Sequence, residues 1–271
     1  MPTTIPFLRY GALKSLSLCT TSQDTLNCLR DADVNALQAA NENINAGIVP
    51  IVDGTFIRQR PTQALREGKV NGDALYAVHN TNEGVIFVQS KCTAIQCKPV
   101  CRQTIPKPHT ARYSKLYADL GSDLAQEDLI VGEAIFVCPT YFFVDAFRNR
   151  TYKAEFAIPP ALHDQDSEYR ATFPVSSDDI KRLILNPGTI LASPITFNNT
   201  DFVNAFAQAV VFAISLDPNV EVDPSNITPQ WDLYSLSTDE MVFNKTAEDV
   251  PDIRLSETKK DLLARCSSGN P

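Results

Sequence analysis

The sequence has few basic residues, few histidines and no long hydrophobic run. Lysine and arginine total 24 against 32 aspartates and glutamates, which gives a formal net charge of -8 and a pI near 4.9. This acidity disfavours nucleic acid and anionic membranes as partners, because both require a basic patch. The longest apolar stretch with helical spacing, residues 205–216, is too short to span a bilayer, so no transmembrane segment is predicted.

The start of the chain lacks the features of a secretory signal. Arg9 and Lys14 interrupt any apolar core, and no clean cleavage site follows. Four N-x-S/T sequons nevertheless occur, and such sequons are glycosylated only in secreted proteins. Their asparagines are Asn149, Asn198, Asn226 and Asn244. The body of the chain therefore has the character of an extracellular protein while its first twenty residues do not, and its localisation stays open.

Seven cysteines and an ordinary globular composition bound the fold. Hydrophobic residues make up 44% of the 271 residues, enough for one large domain or two small ones. An odd number of cysteines leaves at least one unpaired in an oxidising compartment. Cys19 and Cys28 lie close enough in sequence for a small-loop disulfide, and two separate buried thiols are the alternative.

Apolar periodicity predicts strands that alternate with helices. Two short strands are predicted, at 74–78 and 154–158. Helical patterns cover residues 23–46 with a break near Asp31, 64–68, 126–149 with an interruption at Pro139, and 202–216. Residues 89–112 are basic and rich in proline and cysteine, which predicts a loop or disorder. This order of elements predicts part of an α/β sheet covered by helices.

One polar side chain follows each predicted strand. Glu83 lies just before Gly84 in the loop after the first strand, and His163 lies in the loop after the second. If the strands are parallel neighbours, both loops open at the same edge of the sheet. The carboxylate could then accept a hydrogen bond from Nδ1–H of the imidazole, with the acid-then-histidine order of α/β-hydrolases. From spacing alone, a solvated glutamate and a solvated histidine remain the alternative.

Several motifs in order resemble a known family. Residues 51–87, IVDGTFIRQRPTQALREGKVNGDALYAVHNTNEGVIF, contain V-D-G-x-F, P-x-x-L, G-K and N-x-[DN]-E-G-x-x-F. VGEAIFVCPTYFF, EFAIPPALHDQDSEY, FVNAFAQAVVFAISLDPN and WDLYS follow downstream. Together they resemble type-B carboxylesterases and lipases, which include fungal lipases and cholinesterases. The resemblance extends from Cys19 to Cys266 and excludes residues 89–112.

The resemblance implies the C-terminal portion of an α/β-hydrolase fold, with a partial, mostly parallel sheet flanked by helices. Glu83 matches the acid and His163 the base of a Ser-His-Glu triad that transfers acyl groups from ester or lipid substrates. No cofactor is expected. Within the family, the motifs resemble those of secreted fungal lipases of the carotenoid-ester type. The cysteine pair 19 and 28 matches a family disulfide, and Cys138 with Cys266 either forms another or leaves two thiols.

The nucleophile of the family is missing from this sequence. None of the ten glycines begins a G-x-S-x-G elbow, and the glycine-rich oxyanion loop is absent too. Both belong to the N-terminal half of the family. The sequence therefore predicts a partial carboxylesterase domain over residues 1–271, with an atypical segment at 89–112, that is inactive as written. A truncated or mis-spliced gene model is the expected cause.

Two substitutions depart from the family pattern near the expected site. Asp164 stands where the family has glycine after the histidine, and a carboxylate there would favour the imidazolium form. His79 replaces a small residue before the acid loop.

Two alternatives belong to other functional classes. One is a small zinc module formed by Cys92, Cys97, Cys101 and His109, whose spacing fits no strong zinc signature. The other is a catalytically inactive binding or interaction protein.

Overall fold

The computed structural model describes residues 19, 22–42, 52–88, 115–147, 150–171, 196–215, 217–219 and 227–268. The chain divides into two compact units, Met1–Arg60 and Pro61–Pro271. The segment at 89–112 lies outside the described residues. That the whole chain is one partial domain stays a prediction.

The first unit contains the two helices that the pattern over residues 23–46 predicts. Helix α1 spans Thr25–Asp31 and helix α2 spans Val34–Glu42. Asp24 caps α1, because its Oδ1 accepts a hydrogen bond from the backbone N of Asn27 at 3.1 Å. A disulfide joins Cys19 to Cys28, so the small-loop disulfide is present in place of two thiols.

The second unit is built on a four-stranded sheet in the order β1-β2-β3-β4. The strands are β1 Leu75–Asn80, β2 Thr151–Phe156, β3 Asp239–Lys245 and β4 Pro251–Glu257. The pairs β1–β2 and β2–β3 are parallel, and β3–β4 is an antiparallel hairpin. The two predicted strands are therefore parallel neighbours, and the loops that follow them lie at one edge of the sheet.

Helices cover both faces of this sheet. They are α3 Pro61–Arg66, α4 Asp123–Gly132, α5 Cys138–Phe147, α6 Asp166–Ala171, α7 Thr200–Ser215, α8 Tyr234–Ser237 and α9 Lys260–Ser268. On one face, an aromatic core packs Phe206 of α7 against Phe156 of β2 and Phe243 of β3, with ring centroids about 5 Å apart. On the other face, α5 packs Tyr141 and Val144 against Ala77 of β1.

The helices α4 and α5 are continuous through a π-helical turn, Glu133–Val137. The predicted interruption at Pro139 is therefore wrong, because the helix passes through the proline. The reason lies in the wider turn just before it, where the backbone N of Cys138 bonds the carbonyl oxygen of Glu133. This turn shifts the preceding carbonyls, which makes room for a proline ring that would otherwise clash with them.

The continuous helix Asp123–Phe147 is long and apolar enough to cross a membrane by length and composition. It exceeds the stretch at 205–216 that the sequence pattern identifies as the longest. However, 44% of its most apolar window is buried inside the fold, and core helices meet the same criterion. The finding is weak support for a membrane span.

The C-terminal helix α9 is fastened to this long helix. A disulfide joins Cys138 to Cys266, which resolves the two possibilities that the sequence leaves open. Arg265, the residue before Cys266, forms a bidentate ion pair with Glu133 of the long helix, with Nε–Oε2 at 2.8 Å and Nη2–Oε1 at 2.6 Å. The hydroxyl of Tyr117 donates to the same carboxylate at 2.6 Å.

Candidate active site

The loop after β1, residues 81–84, carries Glu83 and is packed tightly against α4; it is called the acid loop below. Gly84 lies so close to Gly132 and to the carbonyl of Asp128 that no side chain fits: a Cβ on Gly84 would lie 2.8 Å from the backbone N of Gly132. Val85–Phe87 then form a short 3₁₀ helix. The glycine of the E-G motif therefore seats the acid loop on the helix by direct contact between backbones.

The loop after β2 carries His163 and is fastened to the first loop. The backbone N of Asn82 donates to the carbonyl oxygen of Ala161 at 2.9 Å, and Asn82 Nδ2 donates to that of Pro160 at 2.7 Å. Asn82 and Leu162 also form a parallel bridge that extends the β1–β2 pairing. These contacts of Asn82 bring the two loops together without any contribution from the side chains of Glu83 and His163.

Glu83 and His163 meet at the junction of the two loops. His163 Nδ1 lies 2.5 Å from Oε2 of Glu83, a short hydrogen bond. The other carboxylate oxygen, Oε1, accepts a hydrogen bond from the backbone N of Asn80 at 2.7 Å. Glu83 is 5% exposed, while the side chain of His163 is about one-third exposed. With Nδ1 engaged by the carboxylate, Nε2 is the nitrogen that remains for another group.

Two phenylalanines flank the imidazole. The ring centroid of Phe136, on the π-helical turn, lies 4.3 Å from that of His163, and Phe87 lies 5.1 Å away in an edge arrangement. Phe87 and Phe136 also stack on each other. The π-helical turn thus contributes directly to the surroundings of His163, as such turns often do at functional sites. Sequence reasoning did not single out Phe136.

Asp164, which stands where the family that the sequence resembles has glycine, adopts a left-handed conformation with φ of 68°. A glycine tolerates this conformation without strain, and an aspartate is among the residues that can adopt it. Its Oδ1 accepts a hydrogen bond from the hydroxyl of Ser167. The extra carboxylate is therefore engaged in the turn that starts α6.

A cavity of about 400 Å³ opens beside Glu83 at this edge of the sheet. Its walls come from the loop that carries Glu83, from α4, from residues of all four strands and from α9. His79, Glu155 and Glu240 provide polar walls, and Val85, Leu129 and Leu262 provide apolar ones. His163 is not among the described residues that line this cavity, whereas its partner Glu83 is.

A second buried polar cluster was missed by sequence reasoning. Lys153 Nζ contacts His79 Nδ1 and lies 3.1 Å from Glu240 Oε2, and all three side chains are under 8% exposed. The hydroxyls of Tyr141 and Thr258 donate to Oε1 of Glu240, at 2.7 and 2.6 Å. The sequence holds two signals of this cluster, a lysine in the middle of the strand TYKAEF and the replacement of a small residue by His79.

Burial and the lysine charge determine the protonation states in this cluster. Burial lowers the pKa of His79 to about 3, and the neighbouring Lys153 acts in the same direction. Burial alone would raise the pKa of Glu240, but Lys153, His79 and the two hydroxyls outweigh it and lower the pKa to about 2. Burial also lowers the pKa of Lys153, against the opposing effect of Glu240. The imidazole of His79 is therefore neutral and the carboxylate of Glu240 is ionised at neutral pH.

The structure describes only some of the other residues that the sequence predicts as zinc ligands or glycosylation sites. Cys92, Cys97, Cys101 and His109, together with the sequon residues Asn149 and Asn226, lie outside the described residues. Asn198 is exposed just before α7, and Asn244 is half-buried at the end of β3. Among the described residues, no group of three or more His, Cys, Asp or Glu side chains is placed to hold a metal ion.

A mostly parallel sheet with helices on both faces, an acid after one strand and a histidine after the next describe an α/β-hydrolase fold. Comparison with solved structures gives the particular relatives. The chain is similar to Aspergillus niger EstA, with a TM-score of 0.73 and 15% sequence identity over 96% of the chain. It is also similar to PNB esterase, at 0.62 and 13%, and to Geobacillus stearothermophilus carboxylesterase EST55, at 0.59 and 17%, each over 94% of the chain.

These matches show that the chain has the fold of part of each solved structure. The chain spans about half the length of the solved structures it matches, 54% of EstA, 52% of PNB esterase and 53% of EST55. No protein-family model matches the sequence, and no curated protein does either. The expected C-terminal portion of an α/β-hydrolase fold, with a partial sheet flanked by helices, is confirmed.

Proposed function

We propose that this chain is the portion of a serine carboxylesterase that carries the acid and the base of the triad. The observation that carries the proposal is the 2.5 Å hydrogen bond from His163 Nδ1 to Oε2 of a buried Glu83. A carboxylate in this place fixes the tautomer of the imidazole and stabilises the imidazolium that forms when Nε2 takes a proton. Three esterases of the same fold support the assignment to carboxylic ester hydrolysis.

In this mechanism His163 would act as the general base for a serine hydroxyl and later protonate the leaving group, while Glu83 would hold the ring. The sequence contains no G-x-S-x-G serine for Nε2 to activate. Loss of the nucleophile from such a triad costs about 10⁶-fold in rate. We therefore propose that the 271-residue chain by itself does not hydrolyse esters.

The substrate class we propose is a carboxylic ester with an apolar acyl or alcohol group, including lipid esters. The support is the apolar surface of the short 3₁₀ helix after Glu83, where Val85, Ile86 and Phe87 are 36–44% exposed and Phe87 contacts the imidazole. We further propose that the protein is a secreted glycoprotein of fungal lipase type. Of the two sequon asparagines that the structure describes, Asn198 is the better candidate for glycosylation because it is exposed. Glycosidase treatment of protein from a secretory host, with Asn198→Gln as control, tests the last point.

The experiment for the function is an assay of the purified chain with p-nitrophenyl butyrate, beside His163→Ala and Glu83→Gln. We expect the same background hydrolysis from all three proteins. Turnover that depends on both His163 and Glu83 would keep the esterase assignment but overturn the proposed inactivity, because it would require a nucleophile outside any G-x-S-x-G motif. Turnover unaffected by either substitution would have no connection with this pair.

A further inference from the structure

A third side chain connects the two loops of the candidate site. Asn80 is the last residue of β1 and Asp166 is the first residue of α6, and they are 3% and 1% exposed. Asn80 Nδ2 donates to Oδ1 of Asp166 at 2.9 Å. The same Nδ2 lies 3.4 Å from Oε1 of Glu83, the oxygen that also accepts from the backbone N of Asn80. One amide group thus lies between two buried carboxylates.

The amide of Asn80 acts here only as a donor. Its Oδ1 has no hydrogen-bond partner within the described part of the chain, so its bonding to the described residues goes through Nδ2. An NH₂ group has two hydrogens, which is the number needed to serve one carboxylate on each side. Two buried carboxylates brought this close repel each other unless a donor stands between them. A carboxylate or an apolar residue at position 80 would remove that donor.

We propose that Asn80 is a positioning residue, held by Asp166, that fixes the carboxylate of Glu83 against His163. With Oε1 engaged by the backbone N and Nδ2 of Asn80, Oε2 is the oxygen left to accept from the imidazole. The hydrogen bond to Asp166 fixes the amide itself and joins the start of α6 to the end of β1. The inference rests on the proposed function, because it assigns a role toward the Glu83–His163 pair.

The chain provides a matched control two residues away. Asn82 is also an asparagine whose Nδ2 bonds the second loop, at the carbonyl oxygen of Pro160, but that bond is solvent-exposed and touches neither carboxylate. Asn80→Asp and Asn82→Asp therefore make the same chemical change two residues apart. Only the first replaces the amide that bonds the carboxylates of both Glu83 and Asp166.

The test is nitrogen-15 and proton NMR of the full chain, labelled at its three histidines. His163→Gln assigns the His163 resonances, and the measured quantity is the solvent exchange rate of its Nδ1–H proton. In Asn80→Asp we expect this exchange to be about tenfold faster, the factor for loss of one hydrogen bond to a charged group. Asn82→Asp loses the exposed bond to Pro160 but keeps the backbone bond to Ala161, so it should raise the rate clearly less than Asn80→Asp does. Equal rates in wild type and Asn80→Asp would overturn the proposal.

Two further variants separate the possible failures. Glu83→Ala, which removes the acceptor, should abolish the protected Nδ1–H; if it does not, Glu83 is not the acceptor of this proton in solution and the proposed function fails, whatever Asn80 does. Asn80→Asp with Asp166→Asn exchanges donor and acceptor and restores the bond between the loops. We expect this double variant to keep the fold, by circular dichroism, while the His163 proton still exchanges rapidly. A protected proton in the folded double variant would refute the positioning role.

Discussion

The contact between Gly84 and α4 makes a quantitative prediction for Gly84→Ala. The added Cβ would lie 2.8 Å from the backbone N of Gly132, and closer still to the carbonyl oxygen of Asp128. Ordinary contact between heavy atoms begins near 3.5 Å, so the loop and the helix must separate by at least ~0.7 Å. The φ of Gly84 is -82°, which alanine adopts freely, so the whole effect comes from this overlap.

Overpacking of this kind costs about 1–3 kcal/mol, and backbone on both sides of the contact places Gly84→Ala at about 3 kcal/mol. For a unit of this size, that corresponds to a fall in Tm of roughly 6–12 °C. Gly72→Ala is the control, because its Cβ would meet the ring of Phe147 at 3.0 Å, and a side chain can move aside. We expect it to cost about 1 kcal/mol or less.

Urea denaturation followed by circular dichroism measures both variants. A midpoint for Gly84→Ala equal to that of Gly72→Ala would refute the argument that the acid loop is seated by direct backbone contact. A second readout is the Nδ1–H proton of His163. Because Gly84 follows Glu83 directly, a forced separation from α4 should also weaken the hydrogen bond to the imidazole, and a proton unchanged in a destabilised variant would contradict that link.

Three further predictions concern the buried cluster and the second disulfide. Glu240→Gln should destabilise the fold by about 3–5 kcal/mol in urea titrations, since it leaves the buried ammonium of Lys153 without its carboxylate; a loss under 1 kcal/mol would contradict the ion pair. The free energy of unfolding should fall as pH is lowered from about 6.5 to about 3, because the unfolded chain protonates His79 in this range and the folded chain does not. In His79→Asn this dependence of the free energy of unfolding on pH should be weaker. An unchanged dependence would count against a buried neutral imidazole. Replacing Cys138 and Cys266 together by alanine should cost about 2–5 kcal/mol under non-reducing conditions, with the wild-type protein in reductant as comparison; equal midpoints for oxidised wild type and variant would refute it.

The candidate pair could be predicted from sequence because its signals are local. Glu83 belongs to the short motif N-x-[DN]-E-G-x-x-F, and His163 follows an apolar strand that ends at Pro159 and Pro160. Once two strands are predicted to be parallel neighbours, topology alone brings the loops after them to one edge. In the structure these two residues are hydrogen-bonded although they lie 80 positions apart in the sequence.

The buried cluster could not be predicted in this way. His79, Lys153 and Glu240 come from three different strands, and each is an ordinary polar residue in its own segment. Their relation depends on the register of β1, β2 and β3, which sequence periodicity does not determine. The same limit applies to Pro139, since a proline in a helical pattern indicates a break unless a wide turn precedes it.

The bond between Cys138 and Cys266 closes a covalent ring around a large part of the chain. His163 and the strands β2, β3 and β4 lie inside this ring, while Glu83 and β1 lie on the part of the chain outside it. If the fold opens without reduction, the segment that carries His163 remains tethered at both ends. The segment that carries Glu83 is held to it by hydrogen bonds and packing alone. The hydrogen bond between Glu83 and His163 therefore joins a segment that the disulfide tethers at both ends to a segment that it does not tether. We expect the segment that carries Glu83 to detach first when the fold opens.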